Sequence, residues 1–139
     1  MNTPVNKQPA SLDQRRAKHA WEAVQEIKAT CRSTDADEYA REAKKLPTRI
    51  IAAGLGQSLA FILAKAKDKK RNLTTLHAHL TDWVIKQRPM ASAAKSDSLM
   101  ESLVYGDTEF LRRATDETLI YLQWLNRFAE AEGLGGGTD

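Results

Sequence analysis

Apolar residues recur at three- and four-residue spacing in each periodic segment of this chain, and no stretch of useful length alternates apolar with polar. Side chains three and four apart share one face of an α-helix, so such a chain buries its apolar stripes by packing helix on helix. The expected fold is all-α: a compact bundle of about five to six helices, with the longest helix at the C-terminus. A length of 139 residues suits one hydrophobic core. The expected organisation is a flexible N-terminus over 1–10, a single helical domain over 11–132 and a flexible tail over 133–139.

Local signals place the helix ends. Ser11 followed by Gln14 forms a capping-box pattern, and Leu12, Ala20, Val24, Ile27 and Cys31 supply one apolar face out to about Cys31. A polar break follows from Arg32 to Asp37, then a short helix-prone segment from Asp37 to Lys45. Proline disfavours helix at the residue before it, so Pro47 is expected to start a new or kinked helix that reaches about Ala66. In that segment Ile51, Leu55, Leu59 and Leu63 form an apolar row expected to pack. Ala52, Gly56, Ala60 and Ala64 form a neighbouring small row expected to admit close neighbours.

Lys67 to Arg71 reads as a charged connection, and Asn72 as the cap of a helix to Lys86 with Leu73, Leu76, Leu80, Trp83 and Val84 inside. Pro89 ends it, and Met90 to Ser96 reads as a surface loop. A short helix is expected from about Asp97 to Val104, stopped by Gly106. Asp107 then caps the last helix, which runs to about Glu132 with Phe110, Ala114, Tyr121, Leu125 and Phe128 inside.

The formal net charge of +3 is small, but its distribution is uneven. Between Arg41 and Arg71 nine basic residues face only two acidic ones, Glu42 and Asp68, so that segment carries +7 and the remainder −4. Such a run serves either as a solvated face or as a field for a polyanion. Arg41, Lys44 and Lys45 share a helical face, with Arg49 beyond the proline. Arg15, Arg16 and Lys18 cluster at the start of the first helix, where cations oppose the macrodipole. In the last helix Arg113 and Glu117 stand at ion-pair spacing. Trp21, Trp83 and Trp124 are read as core, so backbone recognition is expected in preference to base stacking.

Catalytic constellations are lacking. His77 and His79 are two apart and point to different sides of a helix, and His19 has no evident partner. Gly54-Leu55-Gly56 lacks the third glycine and the preceding strand of a phosphate loop. Neither enzyme activity, a cofactor, a metal nor a small-molecule substrate is expected. The single cysteine, Cys31, allows no internal disulfide and fits a reducing cytoplasm. No apolar run is long enough to span a membrane.

Three ordered blocks together resemble a known family. They are Asp13-Gln14-Arg15-Arg16-Ala17 with Ala20-Trp21, and Lys44-Lys45-Leu46-Pro47 leading to Gly54-Leu55-Gly56-Gln57 and Leu59-Ala60-Phe61. The third is Ala114-Thr115 with Glu117, then Tyr121-Leu122-Gln123-Trp124-Leu125 and Arg127-Phe128-Ala129. The chain resembles the small subunit of the type III-B CRISPR RNA-guided effector complex, the Cmr system. The blocks span about Leu12 to Ala131, and Lys86 to Gly106 carries no matching motif. The resemblance implies a helical subunit without nuclease activity. Several copies would stack in a filament beside the backbone subunits and lie along the target RNA paired to its guide. Partners would be the other effector subunits, further copies of this chain, and the guide and target RNA. The basic clusters make Arg15, Arg16, Lys18, Lys44, Lys45 and Arg49 the candidate phosphate contacts, followed by Arg112, Arg113 and Arg127. The alternatives are the small subunit of a type III-A complex, a protein-protein adaptor that binds no RNA, and a metal-dependent nuclease.

Overall fold

The computed structural model describes residues 8–68, 70–87 and 96–136, and among these every regular element is helical. The helices are α1 (Leu12–Thr30), α2 (Ser33–Ala53), α3 (Leu55–Ala66), α4 (Arg71–Thr81), α5 (Leu99–Tyr105) and α6 (Thr108–Ala131). A widened π-helical turn, Asp82–Gln87, extends α4. Helix α6, at 24 residues, is the longest. It packs along α1 and α2, while α3 and α4 pair with each other and with α2.

The helix starts that depend on local chemistry lie where the sequence puts them. Gln14 N donates to Ser11 Oγ at 3.0 Å and Ser11 N to Gln14 Oε1 at 2.7 Å, closing the capping box. Phe110 N donates to Asp107 Oδ1 at 2.8 Å at the start of α6. Asn72 is different. It lies inside α4, nearly fully buried, and its amide donates to the Asp35 carbonyl at 3.1 Å and to Glu38 Oε1 at 3.2 Å, clamping α4 to α2 instead of capping it.

Pro47 does not start a helix; α2 runs through it from Ser33 to Ala53. A proline in a helix leaves the carbonyl four residues earlier without its donor. Here that carbonyl belongs to Ala43, and Asn126 Nδ2 of α6 donates to it at 3.1 Å. Leu46, fully buried, anchors the same turn. Asn126→Ala should therefore cost about 1–3 kcal/mol by orphaning a buried carbonyl. The cost should shrink in a Pro47→Ala background, where a backbone N–H is restored. Urea unfolding of the four variants measures the coupling.

The break expected at Pro47 falls at Gly54 instead. Its φ of 90° suits glycine and not an L side chain. Gly54 N closes α2 on the Ile50 carbonyl at 2.8 Å, and its own carbonyl accepts from Ser58 Oγ at 2.8 Å to open α3. This corner resets the helical phase and overturns the expected rows. Leu55 and Leu59 are buried, but Ile51 is 79% exposed and its place inside is taken by Ile50. Ala52, Ala60 and Ala64 are exposed too, so the small row faces outward. Gly56 of that row approaches another element, with Met100 Cε 3.8 Å from where its β-carbon would be.

The short helix, expected from Asp97, begins at Leu99 and is capped by Ser98, whose Oγ accepts from Glu101 N at 3.3 Å. Gly106 ends it by close approach, since a β-carbon there would sit 2.6 Å from the Ser102 carbonyl oxygen. After α6 the chain turns at Gly133, and Leu134 N bonds the Ala129 carbonyl at 2.9 Å. Gly135 N then donates to Asp37 Oδ1 on α2 at 2.9 Å, so the expected flexible tail is anchored over these first residues. The expected loop from Met90 and the stop at Pro89 fall outside the described residues, apart from Ser96.

Candidate nucleic-acid interface

Helix α2 presents its cations beside a buried carboxylate. Glu42 is 2% exposed and accepts from Lys65 Nζ at 2.7 Å and Arg49 Nη1 at 2.9 Å, with Lys45 Nζ at 3.8 Å. Burial pushes its pKa up, but the hydrogen bonds from Lys65 and Arg49 outweigh burial, and the net shift is downward. Glu42 thus stays ionised and fixes the cations around it. The Arg49 guanidinium also lies 4.2 Å over the Phe61 ring. Three cations on one carboxylate leave an excess of positive charge at the surface.

That surface is a groove lined by Arg41, Lys44, Lys45, Thr48 and Arg49, with Gly135 at its edge. Of the sequence candidates, Lys44, Lys45 and Arg49 are brought together here. Arg41 completes the set, and the Thr48 hydroxyl, which sequence reasoning missed, adds a donor next to it. Lys44 and Lys45 are exposed; Arg41 and Arg49 are partly covered.

The other candidates scatter. Arg15 and Lys18 line a separate cleft between α1 and α4. Arg16 turns inward, where its Nε and Nη2 grip the buried Glu117 at 2.6 and 3.0 Å. Trp83 Nε1 donates to the same carboxylate at 2.9 Å. Glu117 therefore faces the core, not Arg113, and the expected α6 pair does not form. Arg112 is bound to Glu109 at 2.6 Å and Asp116 at 3.5 Å, Arg113 is exposed, and Arg127 reaches Glu130 at 3.4 Å.

Two histidines, one of which sequence left without a partner, bridge tyrosines and acids in the α1–α4 cleft. His19 Nδ1 meets Tyr121 Oη at 2.6 Å and Nε2 meets Asp82 at 2.7 Å. His79 Nδ1 meets Tyr39 Oη at 2.7 Å and Nε2 meets Glu26 at 3.3 Å. Burial keeps both phenols protonated, raising the pKa of each. Among the described residues Nδ1 is the acceptor each phenol meets, so the hydroxyl donates to Nδ1 and Nε2–H donates to the acid. A second proton on the His79 ring would leave the Tyr39 O–H without its acceptor. His77 lies on another side of α4, as its spacing predicts, where its Nε2 accepts from Met100 N at 3.4 Å.

Burial lowers the pKa of both His77 and His79 below the ordinary 6.5, and in His79 it outweighs the Glu26 hydrogen bond that opposes it. A base depressed in the folded state is protonated first in the unfolded chain. Its contribution is whole above about pH 6.5 and is lost as pH falls from there. The urea midpoint should therefore decline between pH 7 and 5, and His79→Gln should flatten the decline. Glu38 and Glu42, shifted downward, act in a lower window, below about pH 4.5.

The tryptophans divide. Trp83 is 2% exposed, as expected of a core residue, but Trp124 is only half-buried and Trp21 is 42% exposed. Both pack on Phe128 at the surface between α1 and α6, because α6 leaves that flank uncovered. Among the described residues no group of three or more His, Cys, Asp and Glu is placed to hold a metal ion, and no helix is long and apolar enough to cross a membrane.

The family model described as CRISPR-associated protein (Cas_Cmr5) matches residues 12–132. The chain is also similar to the CRISPR system Cmr subunit Cmr5 of Thermus thermophilus, at 30% identity over 112 residues, covering 81% of this chain and 90% of that protein.

Proposed function

The chain belongs to the CRISPR-associated Cmr5 family, the small subunits of the type III-B (Cmr) complex, and from that premise we propose that it binds target RNA through the basic groove of α2 without cutting it. The match to a Cmr subunit sets the type III-A alternative aside. The observation that carries the reading is the groove itself. Among the described residues four cations and a hydroxyl line it with no carboxylate, and Glu42 beneath holds Lys45 and Arg49 in place. Such a surface meets phosphates at many positions without reading bases, which suits a subunit lying along an RNA whose sequence is read by its guide. Cleavage would belong to the backbone subunits, and the assembly to the cytoplasm.

Stacking of copies needs two non-equivalent contact surfaces. Two exposed apolar regions fit that need. One is Ile51 and Phe61 with Ala52 and Ala60 at the α2–α3 corner; the other is Val104, Tyr105 and Leu111 across the end of α5 and the start of α6. The outward small row then serves close approach between copies.

The test is target-RNA binding by the assembled complex carrying Lys44→Glu and Lys45→Glu, with a weaker salt dependence expected. An adaptor that binds no RNA predicts unchanged affinity and unchanged salt slope.

A further inference from the structure

The α2 groove does not end at α2. It shares Arg41 and Lys44 with a hollow between α2 and α6, and that hollow shares Asn126 and Glu130 with a third depression, of about 680 Å³, beside Trp124. A continuous track thus runs from the α2 cations to an indole. The indole is held rigidly, with Trp124 Nε1 donating to Asp13 Oδ1 at 3.0 Å. Phe128 lies behind it with ring centroids 5.5 Å apart and planes at 31°, and Trp21 meets Phe128 edge-on at 5.2 Å.

The charges along the track favour an anion. Two carboxylates line it, and both are already held: Asp13 by Trp124 and by Arg16 at 3.2 Å, Glu130 by Arg127 at 3.4 Å. The cations at the α2 end, Arg41 and Lys44 among them, exceed these two. The walls near Trp124 are polar, with Gln123, Asn126 and Arg127, unlike the dry apolar bed a protein helix would need. Cations that follow a backbone and lead to a fixed aromatic ring are the arrangement by which proteins hold single-stranded nucleic acid.

We propose that this track takes a single-stranded RNA segment, its phosphates on the α2 cations and one unpaired base stacked on Trp124. The proposal rests on the reading of the α2 groove as a phosphate track and adds a base site to it. Sequence reasoning, which took Trp124 as core, pointed away from such a site.

Three indole N–H resonances report on it in the full chain. A single-stranded oligoadenylate should shift that of Trp124 and leave that of buried Trp83 unmoved. An abasic oligomer of the same length should shift the Lys44 and Lys45 amides but not the Trp124 indole. Trp124→Leu should weaken oligoadenylate binding roughly 5- to 100-fold without changing the salt slope or the abasic affinity, and Trp124→Phe should retain most of the binding. The Trp83 resonance confirms that each variant is folded.

If the α2 amides shift while the Trp124 indole stays still, or if the abasic oligomer moves it equally, the base site is overturned and the phosphate groove stands. If neither region responds at millimolar oligomer, both fall. Crosslinking of Trp124 to a protein subunit in the complex, with or without RNA, overturns the base site in favour of a protein neighbour.

Discussion

Arg16→Met is expected to destabilise the fold by about 1.5–3 kcal/mol, because it removes two charge-assisted hydrogen bonds from a buried carboxylate. Glu117 is 3% exposed and takes two hydrogen bonds from Arg16, joining α1 to α6, with Trp83 drawing in the π-helical turn after α4. With Met at position 16 the pair's Coulombic gain is gone but the desolvation of Glu117 remains. For a chain of this size the melting temperature should fall by roughly 5–10 °C. A double-mutant cycle of Arg16→Met with Glu117→Leu gives the coupling between the two side chains, expected to be favourable in the wild type. Thermal unfolding of the variants measures this. A single variant as stable as wild type would show the pair to be dispensable and would free Arg16 for a role at the surface.

Reversing Lys44 and Lys45 should leave folding nearly unchanged and weaken RNA binding instead. Both side chains are exposed, and Lys45 approaches Glu42 only at 3.8 Å. A lysine that neutralises one phosphate contributes about 0.7–0.9 to the slope of log affinity against log salt. Reversing two such lysines should therefore flatten the slope of the assembled complex by about 1.4–1.8 and lower target-RNA affinity roughly 10- to 100-fold at low salt. The effect should be similar for targets of different sequence, because binding to phosphates carries no base information. Equilibrium binding at several salt concentrations, with the variant subunit incorporated, measures slope and affinity together.

The sequence displayed what is decided within a few residues. Ser11 with Gln14 and Asp107 with Phe110 are caps whose partners lie three positions apart, and both form. The all-helical architecture follows from apolar spacing for the same reason. Where the sequence misled, the deciding partner was distant in the chain. Pro47 reads as a break until Asn126 supplies the donor its ring lacks. Arg16 reads as a free cation at a helix start until Glu117, 101 residues later, takes it. Ile51 reads as core with Leu55 until the turn at Gly54 breaks the row between them and leaves Ile51 on the outer face of α2.

The candidate interface was half legible. Lys44, Lys45 and Arg49 stand on one stretch of sequence, and the structure gathers them in one groove with Arg41. The role of Glu42 beneath them was not visible, although it was one of only two acids in the basic segment. The surface aromatics were missed because a tryptophan's residue type says only that it tends to be buried. Which flank of α6 stays uncovered is settled by the packing of α1 against it.

The central claim is that the α2 groove lies on the RNA. It is tested most directly by photocrosslinking the assembled complex on a target RNA paired to its guide, followed by mapping the crosslinked peptides of this subunit. Crosslinks concentrated between Arg41 and Arg49 are the predicted result. RNA crosslinks confined to other faces, with the Arg41–Arg49 segment joined instead to neighbouring protein subunits, would contradict it.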